Sequence, residues 1–277
     1  MKLAFFQMAV SGQPEQNLAH AAEGVAQAAA AGADMVVLPE MFVCPYTNEA
    51  FVRFGQPRTG SYVRTMAETA ARAGVWLVAG SVPERAGGHL YNTSFVFAPT
   101  GELAAAHRKV HLFDIHVHGG QHFQESDTFT PGDEVTIFET PFGKVGLCIC
   151  FDMRFPEWSR LMALQGARLI VAPAAFNRTT GPAHWDLLFR QRAVDNQVFT
   201  AGVAPARDTD GPYVSYAHSI LCSPWGDVLC RAGTGEELLL CEVDFGQIHS
   251  TREQLPLLSA RRTDLYGLTE PDTGAVW

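Results

Sequence analysis

The chain is predicted to fold as an α/β protein with mixed sheets covered by helices. Short apolar runs rich in β-branched residues alternate with alanine-rich runs of helical periodicity along most of the 277 residues. Two pairs of apolar runs are joined by short turn sequences, at residues 99–101 (Pro-Thr-Gly) and 140–143 (Thr-Pro-Phe-Gly), which indicate hairpins. Because helical crossovers give parallel pairing and hairpins give antiparallel pairing, both are expected within the same sheets.

The first half of the chain alternates strands with helices and ends in a hairpin. Pro14 suits the first turn of a helix that follows the first strand, and Gly32 ends that helix. A second helix is expected over residues 63–73. The predicted strands are residues 3–8, 35–38, 75–79, 89–98 and 103–108.

The second half continues the alternation. Pro156 begins a helix that Gly166 ends, and Pro182 begins another helix that places Trp185 and Phe189 on one face. The predicted strands are residues 135–138, 144–149, 168–172, 198–203, 215–222, 227–230 and 238–243.

Composition limits the classes of protein to which the chain can belong. A hydrophobic fraction of 47% is ordinary for a globular protein, and a net charge of −9 argues against nucleic acid and anionic membranes as partners. No leader peptide and no membrane-spanning run is recognised. The six cysteines are expected to be free thiols in a reducing cytoplasm, because a core of this size needs no disulfide framework.

One domain is expected over residues 1–247, because no linker or break in composition divides the chain. The polar segment 248–277 is predicted to be a tail that packs on this domain or on a partner subunit. Such a tail favours a homo-oligomer, a dimer or larger.

Three polar side chains adjoin apolar strands in a way that suggests nucleophilic catalysis. Cys150 ends the strand over residues 144–149 and precedes a turn and a helix, which is the context of a nucleophile elbow. Glu40 follows residues 35–39 (Met-Val-Val-Leu-Pro), and Lys109 precedes residues 110–113 (Val-His-Leu-Phe). Spacing alone leaves a structural cysteine and a cysteine hydrolase equally open, because most strand cysteines are simply buried.

The chemistry of these residue types indicates their roles. A free thiol is mostly protonated at neutral pH, so Cys150 needs a base, and Glu40 becomes one if burial raises its pKa. Lys109 is expected to act as a fixed cation that stabilises an oxyanion, together with the backbone N–H of Phe151. Cys148 is the rival thiol and is expected to lie deeper and to be inert.

Three segments together resemble the nitrilase (carbon–nitrogen hydrolase) superfamily. They are residues 38–40 (Leu-Pro-Glu), 108–113 (Arg-Lys-Val-His-Leu-Phe) and 146–157 (Gly-Leu-Cys-Ile-Cys-Phe-Asp-Met-Arg-Phe-Pro-Glu). The resemblance covers roughly residues 2–245. It implies a four-layer α-β-β-α sandwich of two mixed sheets flanked by helices, and dimers or larger assemblies. It also implies that Cys150 is the nucleophile, Glu40 the base and Lys109 the oxyanion stabiliser, and that Glu125 helps to position the substrate.

Further segments resemble the omega-amidase branch of that superfamily. Residues 123–126 (Phe-Gln-Glu-Ser) and 176–180 (Phe-Asn-Arg-Thr-Thr) carry most of this likeness, which implies hydrolysis of short ω-amides of α-keto acids, chiefly 2-oxoglutaramate. Residues 180–185 are shared with deaminated-glutathione amidases, so that activity and N-carbamoyl amino acid hydrolysis stay open. The histidine-rich residues 116–122 depart from the pattern and look like a loop beside the pocket.

Two other classes of function are weighed against the hydrolase. His116 and His118 invite a zinc hypothesis, but no carboxylate or thiol at ligand spacing completes a site, so neither metal nor cofactor is expected. A catalytically inactive binding protein on the same fold is the other class. The candidates for holding the substrate carboxylate are Arg154, Arg178 and Arg207, each of which could equally form a structural ion pair. The residues expected to shape the pocket are Tyr46, Phe113, Phe176 and Asn177, together with Phe42.

Overall fold

The computed structural model describes residues 1–268. In chain order its strands are β1 Lys2–Gln7, β2 Met35–Val37, β3 Trp76–Val78, β4 Val82–Ala86, β5 His89–Phe97, β6 Leu103–Arg108, β7 Asp114–His116, β8 His122–Gln124, β9 Thr136–Thr140, β10 Gly143–Leu147, β11 Leu169–Pro173, β12 Phe199–Val203, β13 Ile220–Cys222, β14 Val228–Arg231 and β15 Glu237–Glu242. The α-helices are α1 Pro14–Ala30, α2 Asn48–Phe54, α3 Ser61–Ala73, α4 Pro156–Leu164, α5 Gly181–Asn196 and α6 Gly246–Gln254. Short 3-10 helices span Glu125–Asp127 and Cys150–Arg154.

Two large mixed sheets dominate the molecule. The seven-stranded sheet has the order β15-β1-β2-β3-β5-β4, with β6 also paired to β5. The six-stranded sheet has the order β14-β13-β12-β11-β10-β9. Parallel pairing joins β1 to β2 to β3 in one sheet and β10 to β11 to β12 in the other, whereas the flanking strands are antiparallel. Both sheets are therefore mixed, which confirms the sequence prediction.

The two sheets face each other, and helices cover their outer faces. Leu3 and Phe5 of β1 belong to the apolar cluster between the sheets, whereas Ala4 and Phe6 belong to the cluster beneath α1 and α3. On the other side, Ile170 of β11 packs in the cluster beneath α4 and α5. This alternation follows from the two-residue period of a strand that is buried on both faces. The α-β-β-α sandwich is confirmed.

Both predicted hairpins are present, as β5–β6 and β9–β10. The strand predicted over residues 215–222 is shorter, because Ala217 and His218 have φ angles of 60° and 61° and break the extended backbone before Ile220. The histidine-rich segment, expected to be a loop, instead forms the small hairpin β7–β8, in which His116 pairs with His122. Its turn depends on Gly119, which has a φ of 70°.

The boundary predicted at residue 247 falls within helix α6, where Ile248 is buried in the cluster between the sheets. Residues 269–277 of the predicted tail lie outside the described part of the chain, so its packing on the domain or on a partner stays a prediction. Within residues 1–268, no helix is long and apolar enough to cross a bilayer.

Candidate active site

Cys150 lies at the sharp turn between β10 and α4. Its φ is 46°, a left-handed conformation that is strained for a residue with a side chain and that is common at functional turns. Phe151 follows in the first turn of the 3-10 helix, where backbone N–H groups have no intrahelical acceptor. Cys148 is fully buried, with its thiol 3.9 Å from the Val171 carbonyl oxygen.

Glu40 and Lys109 meet Cys150 in the buried interior of the molecule. Their relative exposures are 1% for Glu40, 1% for Lys109 and 4% for Cys150. Lys109 Nζ donates to Glu40 Oε1 at 2.9 Å and lies 2.8 Å from Glu125 Oε2. Three of the four predicted catalytic residues thus form one buried ion cluster, and Cys150 interacts with the Glu40 carboxylate at its edge.

Glu125 is held on several sides within this cluster. The Phe113 N–H donates to its Oε2 at 2.7 Å, and the Tyr46 hydroxyl donates to its Oε1 at 2.8 Å. Asn92 Nδ2 donates to Glu40 Oε1 at 2.9 Å and to Glu125 Oε1 at 3.3 Å. The amide therefore bridges the two carboxylates, which otherwise repel each other.

The two carboxylate oxygens of Glu40 are in different surroundings. Oε1 accepts from Lys109, Asn92 and, at 3.2 Å, the Tyr46 hydroxyl. Oε2 is buried and has no hydrogen-bond partner among the described residues. Burial raises the pKa of Glu40, and Lys109 opposes this shift, so the direction predicted from the sequence is confirmed. Oε2 is the oxygen that is free to accept a proton.

The Cys150 thiol is neutral at rest. Burial raises its pKa well above the usual value and the neighbouring Glu40 raises it further, whereas Lys109 and the backbone N–H of Ala175 act in the opposite direction. Burial alone would lower the pKa of Lys109, but Glu125 and Glu40 outweigh it and raise that pKa. A resting thiol beside a fixed ammonium suits base-assisted attack rather than a preformed thiolate.

Arg154 lies at the end of the nucleophile turn over two aromatic rings. Its guanidinium carbon is 5.4 Å from the Phe151 ring centroid and 4.7 Å from that of Phe176. Nη1 lies 3.0 Å from His184 Nδ1 and Nη2 donates to Thr180 Oγ1 at 3.2 Å, while the buried Nε has no partner among the described residues. No carboxylate of the described chain forms an ion pair with this cation.

The other arginines and Asn177 are placed differently. Arg178 is exposed, and Arg207 donates to the carbonyl oxygens of Ser215 at 3.2 Å and Tyr216 at 2.7 Å. Asn177 Oδ1 accepts from the Thr180 N–H at 2.8 Å, and its Nδ2 donates to Gln121. Asn177 thus shapes the loop before α5 and is tied to the β7–β8 turn. Phe42, expected near the pocket, is a buried residue of the core beneath α1 and α3.

Two residues of the site were missed at the level of sequence. Asn92 lies opposite Lys109 across the β5–β6 pair, and its one signal was a polar residue in an apolar strand. Tyr213 donates to the Ala175 carbonyl oxygen, and its ring centroid lies 4.7 Å from that of Tyr46. Burial raises the pKa of Tyr213, and Cys150 raises it further. No pattern in the sequence around Tyr213 indicated this position.

A cavity of about 270 Å³ reaches this cluster. Glu40, Tyr46, Ala175 and Tyr213 line its inner part, and Arg207 lies in its wall. Its size suits a small molecule rather than a polymer.

The histidines outside the cluster form no metal site among the described residues. His116 Nδ1 and His122 Nδ1 lie 3.2 Å apart on the exposed hairpin β7–β8. Within residues 1–268, no group of three or more His, Cys, Asp or Glu side chains is arranged to hold a metal ion.

A four-layer fold with a thiol, two carboxylates and an ammonium at its centre defines a class of hydrolase. A family model for carbon–nitrogen hydrolases matches residues 2–253. The chain is 46% identical over 273 residues to the omega-amidase NIT2 of Danio rerio, covering 99% of each chain. It is 47% identical over 265 residues to that of Mus musculus, covering 96% of each.

A solved structure agrees with these sequence matches. Saccharomyces cerevisiae Nit3, a member of branch 10 of the nitrilase superfamily, superposes with a TM-score of 0.87 at 38% identity, over 95% of this chain and 96% of that one. The chain belongs to the carbon–nitrogen hydrolases of the nitrilase superfamily.

Proposed function

We propose that the chain is an omega-amidase that hydrolyses the terminal amide of a short α-keto acid such as 2-oxoglutaramate and releases ammonia. The observation that carries this proposal is that one turn of the chain holds both the nucleophile and a cation. Cys150 lies beside a buried acid–amine cluster, and Arg154, four residues later, is a half-buried cation without a carboxylate partner in the described chain. The names of the two vertebrate relatives support the same activity.

The proposed reaction begins with proton transfer to the free oxygen of Glu40. Glu40 Oε2 takes the thiol proton, and the Cys150 sulfur attacks the amide carbon. Lys109 Nζ and the Phe151 N–H stabilise the oxyanion. Glu40 returns the proton to the leaving nitrogen, so ammonia departs and a thioester remains. A water that gives its proton to Glu40 then hydrolyses the thioester and restores the thiol, and no cofactor takes part.

Glu125 is proposed to position Lys109 rather than to react. Its Oε2 lies 2.8 Å from the ammonium that also pairs with Glu40, and it accepts from the Phe113 N–H. Glu125 thereby keeps the Lys109 ammonium from pairing with Glu40 alone. Hydrogen bonds from Tyr46 and Asn92 fix the spacing of the two carboxylates.

Arg154 is proposed to bind the substrate carboxylate. Burial lowers its pKa, and Cys150 and Tyr213 partly offset this shift. Its guanidinium lies over the ring of Phe151, the residue after the nucleophile. Arg207 is occupied by two backbone carbonyls and Arg178 is exposed, which makes both weaker candidates. Phe113 and Phe176 are proposed as apolar walls for the short carbon chain between the amide and the carboxylate.

Arg154→Gln is expected to lower kcat/KM for succinamate roughly 10- to 100-fold, because one charge-assisted contact is lost. A neutral amide of the same length should lose little, since it has no carboxylate for Arg154 to bind. The matched control is Arg178→Gln, which removes an exposed arginine from a neighbouring loop. An equal loss on both amides would contradict carboxylate recognition by Arg154.

The first experiment measures ammonia release from 2-oxoglutaramate, succinamate, deaminated glutathione and an N-carbamoyl amino acid. A preference for the short ω-amides supports the omega-amidase proposal. Deaminated glutathione is the second candidate, because the residues that resemble its amidases include Thr180 and His184, which contact Arg154. If no substrate in the panel turns over, the chain is a binding protein or acts on another amide.

We also propose a homo-oligomer in a reducing cytoplasm. Large apolar side chains remain exposed at Leu187 (60%) and Trp225 (56%), which supports association with another subunit. All six cysteines are free thiols, which suits a reducing compartment. Light scattering of the purified protein tests the assembly.

A further inference from the structure

Asp152 is a fully buried carboxylate that the proposed reaction does not use. Its Oδ2 accepts from the Ile149 N–H at 2.9 Å and lies 3.1 Å from His107 Nε2. Its Oδ1 accepts from the His111 N–H at 2.9 Å and lies 2.8 Å from His111 Nδ1. Each oxygen therefore has two partners, and the four partner groups belong to three residues.

These partners lie beside two catalytic groups that are distant in sequence. Ile149 directly precedes Cys150, so the bond to its N–H fixes the entry to the strained turn. His107 and His111 are two residues before and after Lys109. A single carboxylate thus connects the turn that carries the thiol to the segment that carries the ammonium.

The histidines are themselves anchored, so the connection is rigid. His107 is buried, and its Nδ1 lies 2.9 Å from Thr136 Oγ1. The His111 ring stacks on Phe155 with centroids 3.7 Å apart and an interplanar angle of 13°. Burial alone would raise the pKa of Asp152, but its bonds to His107 and His111 outweigh burial and hold the pKa well below its usual value. These bonds favour the ionised form of the carboxylate.

We propose that Asp152, with His107 and His111, is a positioning device that sets the distance between the Cys150 sulfur and Lys109 Nζ. This proposal rests on the proposed function of the site. The device acts on the chemical step, because nucleophile and oxyanion donor must hold their places as charge moves from sulfur to oxygen.

The backbone of Arg154, the residue proposed to bind the substrate carboxylate, is held by a separate set of hydrogen bonds. Arg192 Nε donates to the Met153 carbonyl oxygen at 3.1 Å, and its Nη2 donates to the Arg154 carbonyl oxygen at 3.0 Å. The backbone of Arg154 therefore keeps its support when Asp152 changes. Loss of the device should lower kcat and leave KM nearly unchanged, whereas a general loss of structure would change both.

The test uses two variants and a matched control. Asp152→Asn has the same shape, but its NH₂ group must face an N–H donor, and kcat should fall about 100-fold. His111→Phe keeps the stack on Phe155 and the backbone bond to Asp152 and loses one imidazole bond, so kcat should fall about fivefold. His249→Phe is the control, because His249 also pairs with a carboxylate, Glu253, and both residues are exposed on helix α6 and do not line the cavity.

Alkylation of Cys150 by iodoacetamide gives a readout that does not depend on the amide chosen. Its rate, followed by peptide mass, should fall in Asp152→Asn and His111→Phe and stay unchanged in His249→Phe. If wild type alkylates rapidly but turns over no amide of the panel, the proposed function fails, and the alkylation rates of the variants alone decide the positioning role.

Either of two results overturns the positioning role. One is kcat and alkylation at wild-type values in folded His111→Phe and Asp152→Asn. The other is a rise in KM with kcat unchanged. If Asp152→Asn does not fold, His111→Phe decides the matter, because its side chain is 25% exposed and its melting temperature is expected to stay near that of wild type.

Discussion

Cys150→Ala is expected to abolish amide hydrolysis while the protein keeps its fold. Removing a covalent nucleophile leaves no group that can form the thioester, and losses of roughly 10⁴-fold or more are usual for such changes. The free energy of unfolding should change by only about 1 kcal/mol, because one buried sulfur is lost. Ammonia release and the melting temperature measure the two effects, and intact mass should detect no acyl adduct in the variant.

Cys148→Ala is the matched control for this experiment. Cys148 is also fully buried and lies two residues earlier, but its thiol faces the Val171 carbonyl oxygen and not the acid–amine cluster. It should retain activity near that of wild type. An inactive Cys148→Ala beside an active Cys150→Ala would show that Cys148, and not Cys150, is the nucleophile.

Lys109→Met is expected to abolish turnover and also to destabilise the protein. Methionine fills the space of the side chain but leaves Glu40 and Glu125 buried without their counter-charge. Breaking a buried ion pair in this way lowers the free energy of unfolding by about 3–5 kcal/mol. Burial already raises the pKa of Glu40, and loss of the opposing Lys109 should raise it further above its value in the unfolded chain. The variant should therefore regain stability as pH falls, since protonation of Glu40 removes a buried charge.

Chemical denaturation at neutral and acidic pH measures this effect. Lys144→Met is the control, because Lys144 and Glu139 form a loose, exposed pair at 3.9 Å, and its loss should change stability by less than about 1 kcal/mol at either pH. The double variant Lys109→Met/Glu125→Gln removes one of the two unpaired buried charges. It should recover part of the lost free energy of unfolding but none of the activity. Wild-type stability in Lys109→Met would mean that the carboxyls are already neutral.

The sequence was sufficient for those site residues that adjoin a strand. Glu40 and Cys150 lie at the end of an apolar run and Lys109 lies before one, and the edge of such a run can be recognised from local periodicity. Glu125 was different, because it lies in a short 3-10 helix and entered only through the resemblance to the superfamily. Its contact with Lys109 is a property of the folded chain.

Residues that act through long-range contacts could not be predicted. Asn92 becomes part of the site only when β5 pairs with β6 and brings it opposite Lys109, and Tyr213 reaches Ala175 from a loop 38 residues away. Asp152 is two residues from Arg154 in sequence, yet its partners are two histidines and two backbone N–H groups. Local pattern gives no information about which distant polar groups will meet.

The difference between the two carboxylate oxygens of Glu40 has a consequence for proton transfer. The buried cluster holds two carboxylates, one ammonium and one thiol, and when the thiol proton moves to Glu40 Oε2 the total charge of this set does not change. Acylation can therefore proceed without drawing a proton from solvent. A low-dielectric interior opposes a change in net charge more than a shift of charge within a buried cluster. The burial that keeps the thiol protonated at rest therefore also keeps its proton near Glu40, from which it can pass to the leaving ammonia.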